Sequence, residues 1–302
     1  MSTRALVRAI TELLGAQLAI GAAAIFARFA LLGAGPIAVS ALRLGIATVA
    51  LAAIVRIVRL STRRELAFAL AGVALAVHFA AWIASLRYTT VAISTLLVTT
   101  TPLWTELYDV AARRRAPARA FVLALVCASA GVALIVLPSA STAAPTPGHA
   151  SVGAALALVG SLAIGAYLIV VRDAGHTAQG RIPTRQIVLR TYGWATLTLI
   201  IAAAFTREGP PALGNGTAWA AIVAMAVVSQ LLGHTLLNAA LASFTPSTIA
   251  LATLLEPFIA ALLAAAIFHE ALAPTTILGG VLVLAAVAVT LAGARTLRES
   301  PR

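Results

Sequence analysis

The sequence predicts an all-α polytopic membrane protein, with ten transmembrane helices arranged as two inverted five-helix repeats. Three observations lead there. Of the 302 residues, 61% are hydrophobic and 10% charged, against ~45–50% and ~25% in an average soluble domain, so too few charges remain to solvate a globule of this size. The apolar residues gather into ten runs of helix length, where a hydrocarbon core of ~30 Å asks for roughly 20 residues at ~1.5 Å each. The arginines collect at one set of run ends, as the positive-inside rule requires. A soluble enzyme, a disordered chain and a disulfide scaffold are disfavoured.

The runs follow in order. The first, 12–32, comes after Arg4 and Arg8 and resembles a signal peptide, with Ala22 to Ala24 like a cleavage site. Nine further runs follow, so it is read as a retained helix. Gly33, Gly35 and Pro36 separate it from 37–57. The next three are 65–86, 91–110 and 118–138. A Ser/Thr/Pro/Ala-rich connection, 139–151, then leads to 152–172 and 186–205. Gly209, Pro210, Pro211, Gly214 and Gly216 mark the turn before 218–241, and 247–268 and 275–294 complete the set.

All 21 basic residues are arginines, and the net charge is +12. With the N-terminus in the cytoplasm, 17 of the 21 fall in cytoplasmic segments: Arg4 and Arg8, the Arg56–Arg64 group, Arg113–Arg119, Arg172–Arg190 and Arg295–Arg302. Only Arg87 and Arg207 lie outside, and Arg28 and Arg43 fall within runs. That bias sets both termini in the cytoplasm and requires an even number of spans. It also accounts for the positive charge without nucleic acid, and no nucleic-acid partner is expected. The lone cysteine, Cys127, has no internal partner for a disulfide and reads as a small buried hydrophobe.

Residues 87–137 align without a gap on 242–292, with 12 identities in 51 positions. Most are Ala, Leu or Val; Thr90/Thr245 and Pro102/Pro257 are the informative pairs. Each proline sits mid-helix, followed by a charged hairpin and another apolar helix. The offset is five spans, an odd number, so the second copy is reversed across the membrane. This is the inverted-repeat plan of many secondary transporters, and it divides the chain into repeats at 1–144 and 145–302.

Several segments carry a resemblance. They are Pro36–Arg43, Ser85–Ser94 and Thr101–Leu103 in the first half, and Gly233–Asn238, Leu255–Pro257 and His269–Glu270 in the second. With their order and spacing, the chain resembles the drug/metabolite transporter superfamily in its ten-helix EamA group, and within it the bacterial amino-acid exporters. His269–Glu270 stands where that family usually has Gly-Glu. The resemblance implies export of amino acids, related metabolites or drugs, and a third helix that lines the cavity.

Polar side chains in hydrocarbon must find a partner or a wet cavity, so they are the candidate site. His78 and Trp82 are four residues apart on span three and share a face. They are read as a cavity-lining pair. Gln230, His234 and Asn238 form a polar stripe on span eight; Gln230 is assigned to the cavity, and His234 and Asn238 to helix packing near the gate. Thr99 stands for the span-four hydroxyls, which ordinarily bond back to their own carbonyls. Pro102 frees a carbonyl one turn earlier for a substrate ammonium. Trp194 is a further cavity candidate. Thr99, Trp194, His78, Trp82 and Gln230 make up the expected substrate site.

Arg43 and Glu256 are the deepest charges. Glu256 lies ~15 Å from the cytoplasmic face and Arg43 ~10 Å from the outer one, which leaves about 5 Å in a ~30 Å slab. They are read as an ion pair or as a protonation switch for gating, with His234 and Asn238 alongside. Glu106 and Asp109 are expected to latch onto Arg113–Arg115. The sequence has no GxxxxGK[ST] loop, HExxH, CxxC or potassium-filter motif.

The resulting expectation is a non-enzymatic secondary transporter of the bacterial cytoplasmic (inner) membrane, monomeric and without cofactor or metal. It exports amino acids or related metabolites by alternating access, and protons are the coupling ion it allows. The rivals are a drug or hydrophobic-cation efflux transporter and a membrane-embedded enzyme acting on a lipid-linked substrate.

Overall fold

The structure is a computed structural model and describes residues 3–89, 91–114, 116–140, 150–177, 180–268 and 274–299. Helix occupies each of the ten expected ranges. The first range holds α1 (Thr3–Gly21) and α2 (Ala23–Ala30), the second α3 (Pro36–Ile54) and the third α4 (Thr62–Tyr88). The fourth is split into α5 (Val91–Val98) and α6 (Thr101–Arg113). Then come α7 (Arg119–Ala140), α8 (Ala150–Ala174) and α9 (Thr184–Thr206), with a two-residue hairpin, β1 (His176–Thr177) and β2 (Gly180–Arg181), before α9. The eighth range runs through α10 (Gly216–Ala224), a π-helix over Met225–His234 and α11 (Thr235–Ala240). The ninth is α12 (Pro246–Ala252), a 3₁₀ turn over Thr253–Leu255 and α13 (Glu256–Phe268); α14 (Pro274–Glu299) is last. Among the described residues, seven segments are long and apolar enough to cross a membrane, and Arg119–Ile135 and Pro274–Thr290 are shorter apolar stretches.

Helix starts follow local chemistry. Pro36 and Pro246 open α3 and α12, where their missing N–H is not needed. The Asn215 side chain accepts from the Ala218 N–H at the start of α10. Glu208 reaches across to α3 and accepts from the N–H groups of Ile37 (2.8 Å) and Ala38 (3.0 Å), placing a carboxylate on a helix N-terminus.

The helices are inside out relative to a soluble bundle. Val49, Ile54, Leu66, Ile200, Leu278 and Val281 are exposed, while Gln17, Ser40, Arg43, Thr191, Gln230 and Asn238 are buried. Their packing maps onto itself when each segment is exchanged for the one five places on. α4 packs along α8, and its counterpart, residues 225–240, packs along α1. α3 pairs with α9, and α7 with α14, each with its own counterpart. At the last crossing glycine meets glycine: a Cβ on Gly131 would lie 2.6 Å from the Gly279 carbonyl oxygen, and one on Gly279 would lie 2.4 Å from that of Gly131. Only glycine permits that approach, as is usual where membrane helices pack backbone to backbone.

A proline inside an apolar run ordinarily kinks its helix, but at both Pro102 and Pro257 the chain breaks and restarts. Thr99 and Thr100 separate α5 from α6, and the 3₁₀ turn separates α12 from α13. Each proline then sits in the first turn of the restarted helix, where it costs no hydrogen bond. The boundary expected at 144/145 and the His269–Glu270 segment lie outside the described residues, as do the side chains of Arg113 and Arg115 in the expected latch.

Candidate functional site

Non-α backbone gathers around one cavity of about 60 Å³. Ile20 and Ala23 border it on either side of the α1/α2 break, Thr99 and Thr101 at the α5/α6 break, His234 at the end of the π-helix, and Thr253 and Glu256 at the 3₁₀ turn. Irregular backbone at membrane depth is tolerated where protein buries it or where it lines a cavity. π-Helical segments likewise recur at functional sites. α4 supplies an aromatic wall with His78, Phe79 and Trp82, and α3 supplies Arg43.

Phe79 is the hub. The Arg43 guanidinium sits 4.1 Å from its ring centroid, His234 meets the ring edge-on at 5.2 Å, and His78 lies at 4.8 Å. A cation over an aromatic face gains about 2 kcal/mol or more when desolvated. Arg43 is fully buried, and its Nη2 donates to Gln230 Oε1 at 2.9 Å. Its Nε and Nη1 have no acceptor. His78 Nδ1 lies 2.9 Å from the Gly160 carbonyl oxygen. A carbonyl only accepts, so Nδ1 carries the proton and Nε2 is the nitrogen left for the cavity. The His78 ring runs within 5° of parallel to Trp82, with centroids 6.4 Å apart.

The threonines turn inward on themselves. Thr99 Oγ1 donates to the Thr95 and Leu96 carbonyls at 2.9 Å. The Val98 carbonyl, released by Pro102, accepts from the Thr101 hydroxyl at 2.9 Å. Ser161 on α8 completes this cluster, 3.0 Å from Thr100 and 3.1 Å from Thr101. In the second half, the Thr253 carbonyl accepts from the Glu256 N–H.

His78, Trp82 and Thr99 stand on the cavity wall, together with Arg43, His234 and Glu256, which sequence reasoning gave to gating. Gln230 does not line the cavity: it is buried behind the wall, where it holds Arg43 and accepts from the Tyr192 hydroxyl on its carbonyl at 3.3 Å. Asn238 lies one turn beyond His234. It accepts from the Tyr167 hydroxyl at 2.8 Å and donates to the His234 carbonyl at 2.7 Å, tying α8 to α11. Trp194 is a correction. It is 37% exposed and directs Nε1 to Glu65 at 3.3 Å, away from the cavity, because Gly72 of α4 packs directly against its Cβ. The Arg43–Glu256 ion pair is a second correction. Arg43 is engaged by Gln230 and Phe79 instead, and no hydrogen bond or ion pair to Glu256 is formed among the described residues.

Sequence reasoning missed Phe79 and Gln17. Phe79 is an apolar residue in an apolar helix and carries no signal beyond its place next to His78. Gln17 is fully buried with both amide atoms unpartnered, and an intramembrane amide is itself a signal that could have found it.

Broken helices around a buried, charged cavity, set between halves that exchange onto one another, define a membrane-transporter architecture. The model of the EamA-like transporter family matches residues 8–137 and again 151–292. The chain belongs to that family and is a membrane transporter of the drug/metabolite type. A solved structure titled only as the crystal structure of a protein is similar in fold, with a TM-score of 0.75 at 18% identity over 97% of this chain and 99% of that one. No curated protein matches.

Proposed function

We propose that the chain is a ten-span secondary transporter of the bacterial cytoplasmic membrane, built as two inverted repeats at 1–144 and 145–302. In this reading both termini face the cytoplasm, and a small metabolite, an amino acid above all, moves outward by alternating access. The observation that carries the reading is the cavity: it bears both a cation, Arg43, and a carboxylate, Glu256, inside a molecule whose outer surface is apolar. Charges at membrane depth mark substrate or ion routes by default. The breaks at 99–100 and 253–255 supply hinges at the same level.

The hydrophobic-cation reading has Phe79, Trp82 and Glu256 in its favour. Arg43 weighs against it, since a fixed positive charge on the wall repels a cationic solute. An enzyme would need an activated nucleophile, yet the cavity hydroxyls of Thr99, Thr101 and Thr253 all donate to backbone carbonyls. Counterflow in proteoliposomes tests the reading. Uptake of labelled amino acids above that of empty liposomes, with the solute recovered unchanged, is expected. Flux of tetraphenylphosphonium with no amino-acid flux would hand the protein to the cation class.

A further inference from the structure

Arg43 and Glu256 bring a guanidinium and a carboxyl group to the cavity wall, and among the described residues no hydrogen bond or ion pair joins them. Each keeps bonding capacity that the protein does not use. A guanidinium has five N–H donors; Arg43 uses one on Gln230, and its fully buried Nε and Nη1 face no acceptor. Phe79 and Gln230 hold the group in place without neutralising it. Glu256, in the first turn of α13, has no hydrogen bond or ion pair among the described residues. The nearest hydroxyl of its own turn, Thr253, is spent on the Ala250 carbonyl at 2.7 Å. A buried charge without a counter-charge is strongly unfavourable, so Arg43 and a carboxyl group that leave each other unpaired in one cavity point to a solute that meets both.

We propose that the cavity is a two-ended clamp for a compact α-amino acid zwitterion, with Arg43 receiving the carboxylate and Glu256 the ammonium. The inference rests on the transporter reading above and deepens it. A zwitterion is the solute class that satisfies both groups at once and leaves the net charge of the site unchanged. An amine without a carboxylate leaves Arg43 unmet and faces its repulsion. A carboxylic acid without an amine leaves Glu256 unmet in the same way. His78 Nε2 remains as a further polar group, fixed in tautomer by Gly160. The cavity is small, and Trp82 and Phe79 on its wall offer apolar cover for a short side chain. Arg43 and Glu256 thereby pass from gating residues to substrate-binding ones, and the ion pair expected between them is replaced by one through the solute.

The test is calorimetric binding of L-alanine, ethylamine and propionate to purified protein in lipid nanodiscs, beside alanine counterflow in proteoliposomes. These probes are one skeleton with both, one or the other charged group. Wild type is expected to prefer alanine over either analogue by about 10- to 100-fold, the loss of one charge-assisted contact. Arg43→Gln should weaken alanine by a similar factor and leave ethylamine unchanged or better, while Glu256→Gln should do the converse with propionate. Arg43→Lys and Glu256→Asp, which keep charge, should recover part of the preference. Should either neutral variant fail to fold, the wild-type preference alone decides. Equal binding of alanine and ethylamine by wild type, or neutral variants that fold and leave the preference intact, overturns the clamp while amino-acid flux keeps the transporter reading. No binding of alanine with counterflow of another amino acid also overturns the clamp alone. Absence of flux for every amino acid overturns the reading beneath it.

Discussion

Arg43 shows what a buried charge demands of its neighbours. Its guanidinium is fully buried, yet it has one hydrogen-bond partner, Gln230, and one aromatic face, Phe79. Gln230→Leu should therefore lower stability by about 2–3 kcal/mol, the loss of a bond to a charged group, with a lowered melting temperature in detergent as the measurement. Gln230→Glu, which keeps an acceptor, should recover that stability. Little or no effect of Gln230→Leu would mean that the cavity itself solvates Arg43. Trp82 behaves differently. It is only partly buried, against the cavity and the His78 ring, so Trp82→Ala should reduce transport by a larger factor than its small shift in melting temperature would suggest. A fall in stability that fully accounts for the lost flux would make Trp82 a packing residue. His78, Trp82 and Glu256 were legible as intramembrane polar or amphipathic groups with no other reason to be there. The groups that hold this site together were not, because Gly160 and Gln230 come from other spans, where helical spacing on one helix cannot see them, and Phe79 is one apolar residue among many on α4.

At the scale of elements, glycine and proline decide where helices touch and where they break. α7 and α14 approach through Gly131 and Gly279, each without room for a Cβ. Gly131→Val should destabilise the protein by about 1–3 kcal/mol, as overpacking does, measured by thermal unfolding in detergent. Gly45→Ala serves as the control, since its Cβ would meet only a side-chain methyl at 3.6 Å. An equal effect from both would remove the special role of the glycine crossing. Pro257 sits in the first turn of a restarted helix, after the 3₁₀ turn. If that break is a hinge, Pro257→Ala should lower counterflow turnover while leaving the melting temperature unchanged or higher, because alanine favours continuous helix. Unaltered turnover would reduce the break to a static feature. Helix ranges were readable from apolar run length alone. The π-helix over Met225–His234 and the two restarts were not, since they arise where neighbouring helices and the cavity re-satisfy backbone groups.

At the scale of the molecule, the exchange of segments five places apart joins the two family matches, 8–137 and 151–292, into one architecture. The weak identity between halves hid most of this symmetry in the sequence, since packing conserves shape and small size more than residue type. A cysteine at position 146, with Cys127 replaced by serine, should react with an impermeant thiol reagent in intact cells, and one at position 61 should be protected. The reverse pattern would invert the map.

Alternating access requires the buried cavity to open to each side of the membrane in turn. Thr99 lies on its wall at the α5/α6 break, so a single cysteine there, Thr99→Cys in a Cys127→Ser background, reports on the cavity directly. Labelling with an impermeant thiol reagent is measured in right-side-out and in inside-out vesicles of the same preparation. Modification from both sides, slowed by a transported amino acid in each case, is the predicted result. Modification from one side only, or from neither, would contradict alternating access through this cavity.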